Sequence, residues 1–209
     1  MSPTPWPDEV ELVSDGVILT PLRSEHAKGL AAAAADGQLW RHWYTNVPAP
    51  DAMEEGIALR LARRDKGQCL PFAVITPDGV PVGMTSYWNI DPEARRVEIG
   101  GTWYAASVQR SGVNTACKRL LLAHAFETLD CIAVEFRTHF FNHQSRQAIE
   151  RLGAKLDGIL RNHTRGRDGL LRDTCVYSII AGEWPTVRQH LDYRLQRRQP
   201  GDGWMGDKG

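Results

Sequence analysis

Residues 100–126 constrain the fold most, because they are typical of a strand, a polar loop and an amphipathic helix in direct succession. The loop reads Gln109-Arg110-Ser111-Gly112-Val113-Asn114, so it consists mainly of small and polar residues. Backbone N–H groups in the first turn of a helix lack intrahelical acceptors, and the helix dipole makes that end mildly positive. This segment therefore predicts an anion site, and phosphate is the natural ligand.

The glycine pair Gly100-Gly101 lies inside the strand that precedes this loop. Glycine within a strand typically marks a bulge or a place where a ligand approaches the backbone closely. In the helix that follows, apolar residues recur at helical spacing, and we expect Lys118, Arg119 and Glu127 to occupy its other faces. A bulged strand next to an anion-binding helix start is thus predicted.

The composition bounds the class of protein. A chain of 209 residues, 42% hydrophobic and 24% charged, is long enough for one domain with a full core. Twenty-five basic residues balance 25 acidic ones, so the charge favours neither nucleic acid nor a membrane surface as a partner. No run of apolar residues is long enough to span a bilayer, and no signal peptide is recognisable at the N-terminus.

The four cysteines are scattered and form no CxxC pair, which excludes the usual zinc spacings and a disulfide framework. We therefore expect no metal and a reduced, cytoplasmic setting.

Strand and helix patterns alternate along the chain without a linker of domain-boundary character. We predict an extended arm over residues 1–14, a single domain over 15–198 and a flexible glycine-rich tail over 199–209. Ser24, Asp36 and Pro50 are expected to begin helices, and Asn142 to cap another that Gly153 ends. Strands are expected at 17–22, 70–75, 80–88, 96–104, 131–138, 154–160 and 173–180, with a polar loop over 161–168 and a closing helix over 184–198. The fold class is α/β, with a mixed, mostly antiparallel sheet of about seven strands flanked by helices.

Two motifs together resemble the GNAT superfamily of acyl-CoA-dependent N-acyltransferases over roughly residues 15–182. The first is the loop at 109–114, and the second is Asn142-His143-Gln144-Ser145-Arg146-Gln147-Ala148-Ile149-Glu150-Arg151-Leu152-Gly153-Ala154. The nearest resemblance is to the ribosomal-protein N-terminal acetyltransferases. Asn114 stands where that family usually has glycine or alanine, but asparagine still suits a helix start.

The resemblance implies that the bulged strand and the strand after the central helix splay apart to hold acetyl-CoA or another acyl-CoA as co-substrate. The strand backbone would bind the pantetheine arm, the loop would bind the pyrophosphate, and the second motif would line the opposite side. The residues it implicates in binding are Thr102, Trp103, Tyr104, Gln109, Arg110, Ser111, Gly112, Val113, Asn114, Thr115, Asn142, Ser145 and Arg146.

The implied chemistry is direct acyl transfer to a primary amine of a small molecule or of a protein N-terminus. An attacking amine must be neutral, so a base must accept its proton, and an N–H at the bulge would stabilise the oxyanion. We nominate Glu98 as the base and His163 as the second candidate, and Ser145 matches the hydroxyl that assists the departing thiolate. Glu98 could instead pair with Arg96 or Arg137.

Several alternatives stay open at this level. The chain could be a CoA-binding regulatory module without transferase activity, and either a monomer or a homodimer. The aromatic cluster around residues 39–44 could belong to the core or form a wall of the substrate cleft. The acyl group could be acetyl or a dicarboxylic group such as succinyl, because Arg161, Arg165, Arg167 and Arg172 could bind an acidic group or simply face solvent.

Overall fold

A computed structural model describes residues 6–14, 16–166 and 169–197. Its strands are β1 (Leu12–Ser14), β2 (Val17–Pro21), β3 (Cys69–Ile75), β4 (Pro81–Asp91), β5 (Arg96–Tyr104), β6 (Ala133–His139), β7 (Lys155–Arg165) and β8 (Leu171–Ile180). Its α-helices are α1 (Ala27–Ala35), α2 (Met53–Arg64), α3 (Val113–Ala123), α4 (His143–Glu150) and α5 (Trp184–Gln196). A π-helical turn, His124–Thr128, continues α3.

The described strands form one eight-stranded sheet in the order β1-β2-β3-β4-β5-β6-β8-β7. Only β5 and β6 pair in parallel in this sheet, and the other neighbours are antiparallel. The predicted fold class is therefore confirmed. The additional strand arises because Leu12–Ser14, within the expected N-terminal arm, pairs with β2 at the edge of the sheet.

The sheet is covered on both faces, because its strands alternate apolar side chains between two hydrophobic clusters. Helices α3 and α5 cover one face with the larger cluster, which includes Cys117, Leu121 and Leu191. Helices α1 and α2 cover the other face with the smaller cluster, which includes Leu30, Ile57 and Met84.

The sheet splays where β5 and β6 meet. In the described part of the chain their register extends only from Arg96–Ala133 to Glu98–Glu135, whereas both strands continue beyond it. The register of β4 with β5 shifts between Met84 and Ser86, so that two residues of β5 face one of β4. Gly101 lies in this bulge with φ +61°, a conformation that favours glycine. The predicted bulge thus coincides with the opening of the sheet.

Three local predictions were wrong. Residues 161–165 extend β7, because they continue its pairing with β8 (Thr164 with Arg172) instead of forming a loop. The helix expected from Asp36 is only a 3₁₀ turn, Leu39–Arg41, because Gly37 and Gln38 adopt positive φ and interrupt the helical path. Ser24 is the first residue of the 3₁₀ turn Ser24–His26, not its cap.

The predicted tail, the start of the arm and Arg167 lie outside the described residues. Of the helices that are described, none is both long and apolar enough to cross a membrane.

Candidate active site

The loop before α3 is held in place by its own hydrogen bonds. Gln109 donates through Nε2 to the Tyr104 carbonyl at 3.0 Å, and the Ser111 hydroxyl donates to the Val108 carbonyl at 2.5 Å. Gly112 precedes the helix with φ +108° and has no side chain to cap it, and the Val113 amide donates to the Ser111 hydroxyl at 3.4 Å. The amides of Asn114 and Thr115 lie in that turn, where the helix itself supplies no acceptor. The geometry therefore leaves N–H groups available to an anion.

The start of α4 lies at the same end of the splayed strands. Asn142 accepts a hydrogen bond from the Ser145 amide at 3.0 Å, so the predicted helix cap is confirmed. Since β5 and β6 are parallel neighbours, α3 follows the end of the first and α4 follows the end of the second. Two helix N-termini thus flank one gap, and they bring residues 109–115 and 142–146 to its two sides.

Arg146 is anchored beside β8. Its Nε donates to the Tyr177 hydroxyl at 3.0 Å, and that hydroxyl donates to Glu150 Oε1 at 2.8 Å. The guanidinium also lies over the Phe140 ring, 5.1 Å from its centroid. Contact with a nucleotide phosphate stays a prediction for this side chain.

Glu98 lies at the apex of the gap, since it is the last β5 residue in register with β6 among the described residues. Asn89 donates through Nδ2 to Glu98 Oε2 at 2.6 Å, and Arg137 Nε lies 3.6 Å from the same oxygen. The closer partner of Arg137 and of Arg96 is Glu135, at 2.9 Å and 2.6 Å. Burial raises the pKa of Glu98 to about 7, although Arg137 and Asn89 oppose this shift. A carboxylate with this pKa can accept a proton near neutral pH.

The Glu98 carboxylate touches the bulged backbone. A Cβ placed on Gly100 would lie 2.7 Å from Glu98 Oε1 and 3.3 Å from Cδ1 of Trp88. The glycine therefore lets the carboxylate approach the main chain, and a side chain at this position would displace it.

Lys118 is a residue whose role the sequence did not reveal, and the prediction that it occupies another face of α3 was wrong. It is only 5% exposed, and its Nζ donates to the Thr102 hydroxyl at 2.6 Å and to the Thr85 hydroxyl at 3.4 Å. Burial lowers its pKa to about 8. The available signal was that its i+3 and i+4 neighbours, Leu121 and Leu122, are both core positions. Lys118 therefore links the central helix to the bulge.

His163, the second candidate base, lies further away in the sheet. Its Nδ1 is 3.1 Å from the Thr174 hydroxyl, and β7 is separated from β5 by β6 and β8. The position supports Glu98 over His163 as the proton acceptor.

Aromatic side chains cluster at the end of β6. The exposed ring of Trp43 lies 4.8 Å from the buried His139 ring and 6.4 Å from the Phe141 ring, measured between centroids. Leu39, from the same sequence cluster, is buried in the core. Leu39 therefore belongs to the core, whereas a place for Trp43 in the wall of a substrate cleft stays a prediction. In the ranges that the structure describes, no group of three or more His, Cys, Asp or Glu side chains could hold a metal ion.

A mixed sheet splayed at a bulged strand, with two helix N-termini at its open end, defines the class of acyl-CoA-dependent acyltransferases. The family described as the acetyltransferase (GNAT) domain matches residues 17–155. The chain therefore belongs to the GNAT acetyltransferases, which use acetyl-CoA, and it is an acyl-CoA-dependent N-acetyltransferase.

Relatives agree with this assignment over most of the chain. A Bacillus subtilis (strain 168) protein named "Putative ribosomal N-acetyltransferase YdaF" is 35% identical over 181 residues, covering 82% of this chain and 95% of the relative. A GCN5-related N-acetyltransferase from Brucella melitensis has a TM-score of 0.79 at 28% identity, covering 93% of this chain and 89% of its own. Mycobacterium smegmatis RimJ in complex with CoA-disulfide has a TM-score of 0.74 at 25% identity, covering 91% and 96%.

Proposed function

We propose that this enzyme transfers an acyl group directly from acyl-CoA to a primary amine, with Glu98 accepting the proton of the amine. The observation that carries this proposal is the position of the Glu98 carboxylate at the apex of the splayed strands, against the bulged backbone. A base at this point lies where an acyl group held by the bulge would meet an acceptor entering from the α2 face.

The mode of acyl-CoA binding follows from the open backbone of β5. The pantetheine arm lies along Thr102, Trp103 and Tyr104, beyond the part of β5 that is in register with β6. The pyrophosphate is bound by the amides and side chains at residues 109–115, and Asn142, Ser145 and Arg146 contact the cofactor from the other side. Available N–H groups at two helix starts favour an anionic ligand in this place.

In the reaction, the amine nitrogen attacks the thioester carbonyl carbon, and an N–H at the bulge stabilises the oxyanion. The C–S bond then breaks as the tetrahedral intermediate collapses to the amide. Glu98 takes the proton from nitrogen, and the departing thiolate receives a proton from the Ser145 hydroxyl, which solvent reprotonates. The residues thus supply a base, an oxyanion donor and a proton donor.

The acceptor we favour is the N-terminal amine of a protein. The relative named as a putative ribosomal N-acetyltransferase supports this choice, as does the exposed Trp43 ring beside His139, which could contact a peptide. A small-molecule amine is the second candidate, and a CoA-binding module without transferase activity is the alternative from another class.

The test is thiol release from acetyl-CoA with a panel of amines, including peptides that carry the N-terminal sequences of ribosomal proteins. We expect turnover with at least one peptide, confirmed by a mass increase of one acetyl group at its N-terminus. Binding of CoA measured by calorimetry, together with no turnover on any amine, would favour the regulatory module.

We predict that Ser145→Ala lowers kcat by roughly 100-fold, because the leaving thiolate loses its proton donor. The effect falls at the lower end of general-acid catalysis because a thiolate leaves more readily than an alkoxide or amide. Ser145→Thr retains the hydroxyl and should keep more of the rate. The acetyl-CoA Kd should change by less than about tenfold, because one neutral hydrogen bond contributes about 1 kcal/mol. Unchanged turnover in Ser145→Ala would remove this residue from the mechanism.

A further inference from the structure

Arg60 has an unusual position for a charged residue in α2. It follows Met53 and Ile57 on the helical stripe that packs against the sheet, where those two side chains are 1% exposed. Its Nη1 donates to the Ser86 hydroxyl at 3.2 Å, and its guanidinium lies 5.4 Å from the centroid of the Trp88 ring. The charged head of Arg60 therefore faces the sheet beside the bulge.

No carboxylate neutralises this guanidinium within residues 6–14, 16–166 and 169–197. Its hydrogen-bond partner is a neutral hydroxyl, and its charged neighbour Arg63 also lies over Trp88, at 5.5 Å. Burial lowers the pKa of Arg60; the Cys69 thiol opposes this shift, and the proximity of Arg63 adds to it. A desolvated cation without a counter-ion is costly, so a ligand that brings an anion would be bound strongly.

The donors of this site converge on the bulge. A Cβ placed on Gly101 would lie 2.8 Å from Nη1 and 3.3 Å from Nη2 of Arg60, and 3.0 Å from Trp88 Nε1. Glu98 lies against the preceding residue, Gly100. The unneutralised guanidinium is therefore next to the backbone that would hold the acyl group.

The neighbouring arginines differ from Arg60 in their partners. Arg96 and Arg137 both pair with Glu135. Among the arginines considered from the sequence, Arg161 pairs with Asp173 at 2.5 Å, and Arg165 donates to the Gly169 carbonyl at 3.2 Å. Arg172 is also partly buried, and its Nε has no hydrogen-bond partner among the described residues, but the nearby Glu98 carboxylate acts to raise its pKa. No carboxylate in the described part of the chain acts on Arg60 in this way, so Arg60 is the better candidate for an acidic group of the substrate.

We propose that Arg60 binds a substrate carboxylate beside the bulge, and that this contact selects for acidic substrates. The proposal rests on the acyl-transfer function above. The carboxylate belongs either to a dicarboxylic acyl group on CoA or to the acceptor amine. The closeness of Arg60 to Gly101 favours the acyl group, because its tail would extend from the bulge on this face. A guanidinium can bind a carboxylate through two hydrogen bonds, which makes the contact selective as well as strong.

The donor arm of the test measures Kd for acetyl-CoA and succinyl-CoA with the wild type and with Arg60→Met. We expect Arg60→Met to weaken succinyl-CoA binding by about tenfold or more, the usual loss for a hydrogen bond to a charged group. Acetyl-CoA, which lacks the carboxylate, should bind both proteins within about twofold.

The acceptor arm uses acetyl-CoA as the donor and compares amines that differ only in one carboxylate, such as a peptide with an acidic second residue and its amide counterpart. If the acceptor supplies the carboxylate, Arg60→Met should lower kcat/KM for the acidic peptide alone by about tenfold. Arg188→Met is the matched control, because Arg188 is an exposed arginine of α5 that pairs with Glu127. Thermal unfolding of both variants verifies that they fold.

Loss of selectivity in either arm supports the proposal and identifies the source of the carboxylate. Equal behaviour of Arg60→Met and the wild type in both arms, with acetyl-CoA still bound and turned over, would overturn it while leaving the acyl-transfer function intact. Failure of the wild type to bind any acyl-CoA would instead reject the function on which it rests.

Discussion

Glu98→Gln will lower kcat/KM by about 100-fold to 10,000-fold, the range expected for loss of a general base. Glutamine preserves the shape of the side chain and can still contact Asn89, but it cannot take a proton from the attacking amine. The acetyl-CoA Kd should remain similar. Glu93→Gln, in the exposed turn between β4 and β5, serves as the control for loss of a carboxylate without loss of activity.

The pH dependence makes this prediction specific to Glu98. Its pKa is raised to about 7 by burial, so the carboxylate is largely protonated below that pH and ionised above it. Wild-type kcat/KM should therefore rise with pH through an apparent pKa near 7. Stopped assays across pH 5.5–9 should show that Glu98→Gln lacks the limb near pH 7 and keeps only the rise from deprotonation of the acceptor amine, whose pKa is about 8 for a protein N-terminus. A variant that retains both the rate and the same pH limb would exclude Glu98 as the base.

Lys118→Met should raise the free energy of unfolding by about 2 kcal/mol at pH 7. Burial lowers the Lys118 pKa from 10.5 to about 8, which corresponds to a penalty of roughly 3 kcal/mol for keeping the amine charged in the folded protein. Methionine removes that penalty but also loses the hydrogen bonds to Thr102 and Thr85, which are together worth about 1 kcal/mol. Urea unfolding of the two proteins measures the difference.

The sign of the pH effect follows from proton binding. Between pH 8 and 10.5 the unfolded state keeps the Lys118 proton and the folded state loses it, so wild-type stability rises with pH in this window. The advantage of Lys118→Met should thus be complete below pH 8, fall as pH rises and become a deficit of about 1 kcal/mol near pH 10.5, where only the lost hydrogen bonds count. Lys28→Met, at an exposed position of α1, should show no such trend. A stability difference that is constant with pH would contradict a lowered Lys118 pKa.

The parts of the site that depend on neighbours in the sequence could be predicted. The Asn142 cap and the loop-to-helix transition at Gly112 are local features, and the glycine pair marked the bulge before any contact was known. The roles of Lys118 and Arg60 were not accessible in this way. Each is a polar residue in an amphipathic helix, and its side-chain contacts depend on which strand lies opposite. Lys118 meets Thr102, whereas Arg60 meets Ser86 and Trp88.

The extent of the final hairpin was also hidden from the sequence. The polar composition of residues 161–165 favours a loop, but at the edge of a sheet such residues can pair on one side and remain exposed. Pairing with β8, not side-chain burial, makes them a strand.

The brief parallel pairing of β5 with β6 has a mechanical consequence. Strands β1–β5 and β6–β8 form two halves of the sheet. Among the described strands, these halves are joined by only three residue pairs between β5 and β6. Helix α3 contacts both halves. It packs against β1 and β2 of the first half, and against α5, the helix that follows β8 of the second half. Side-chain packing around α3 therefore joins the two halves, and we expect substitutions in that packing to change the angle between them and the width of the gap.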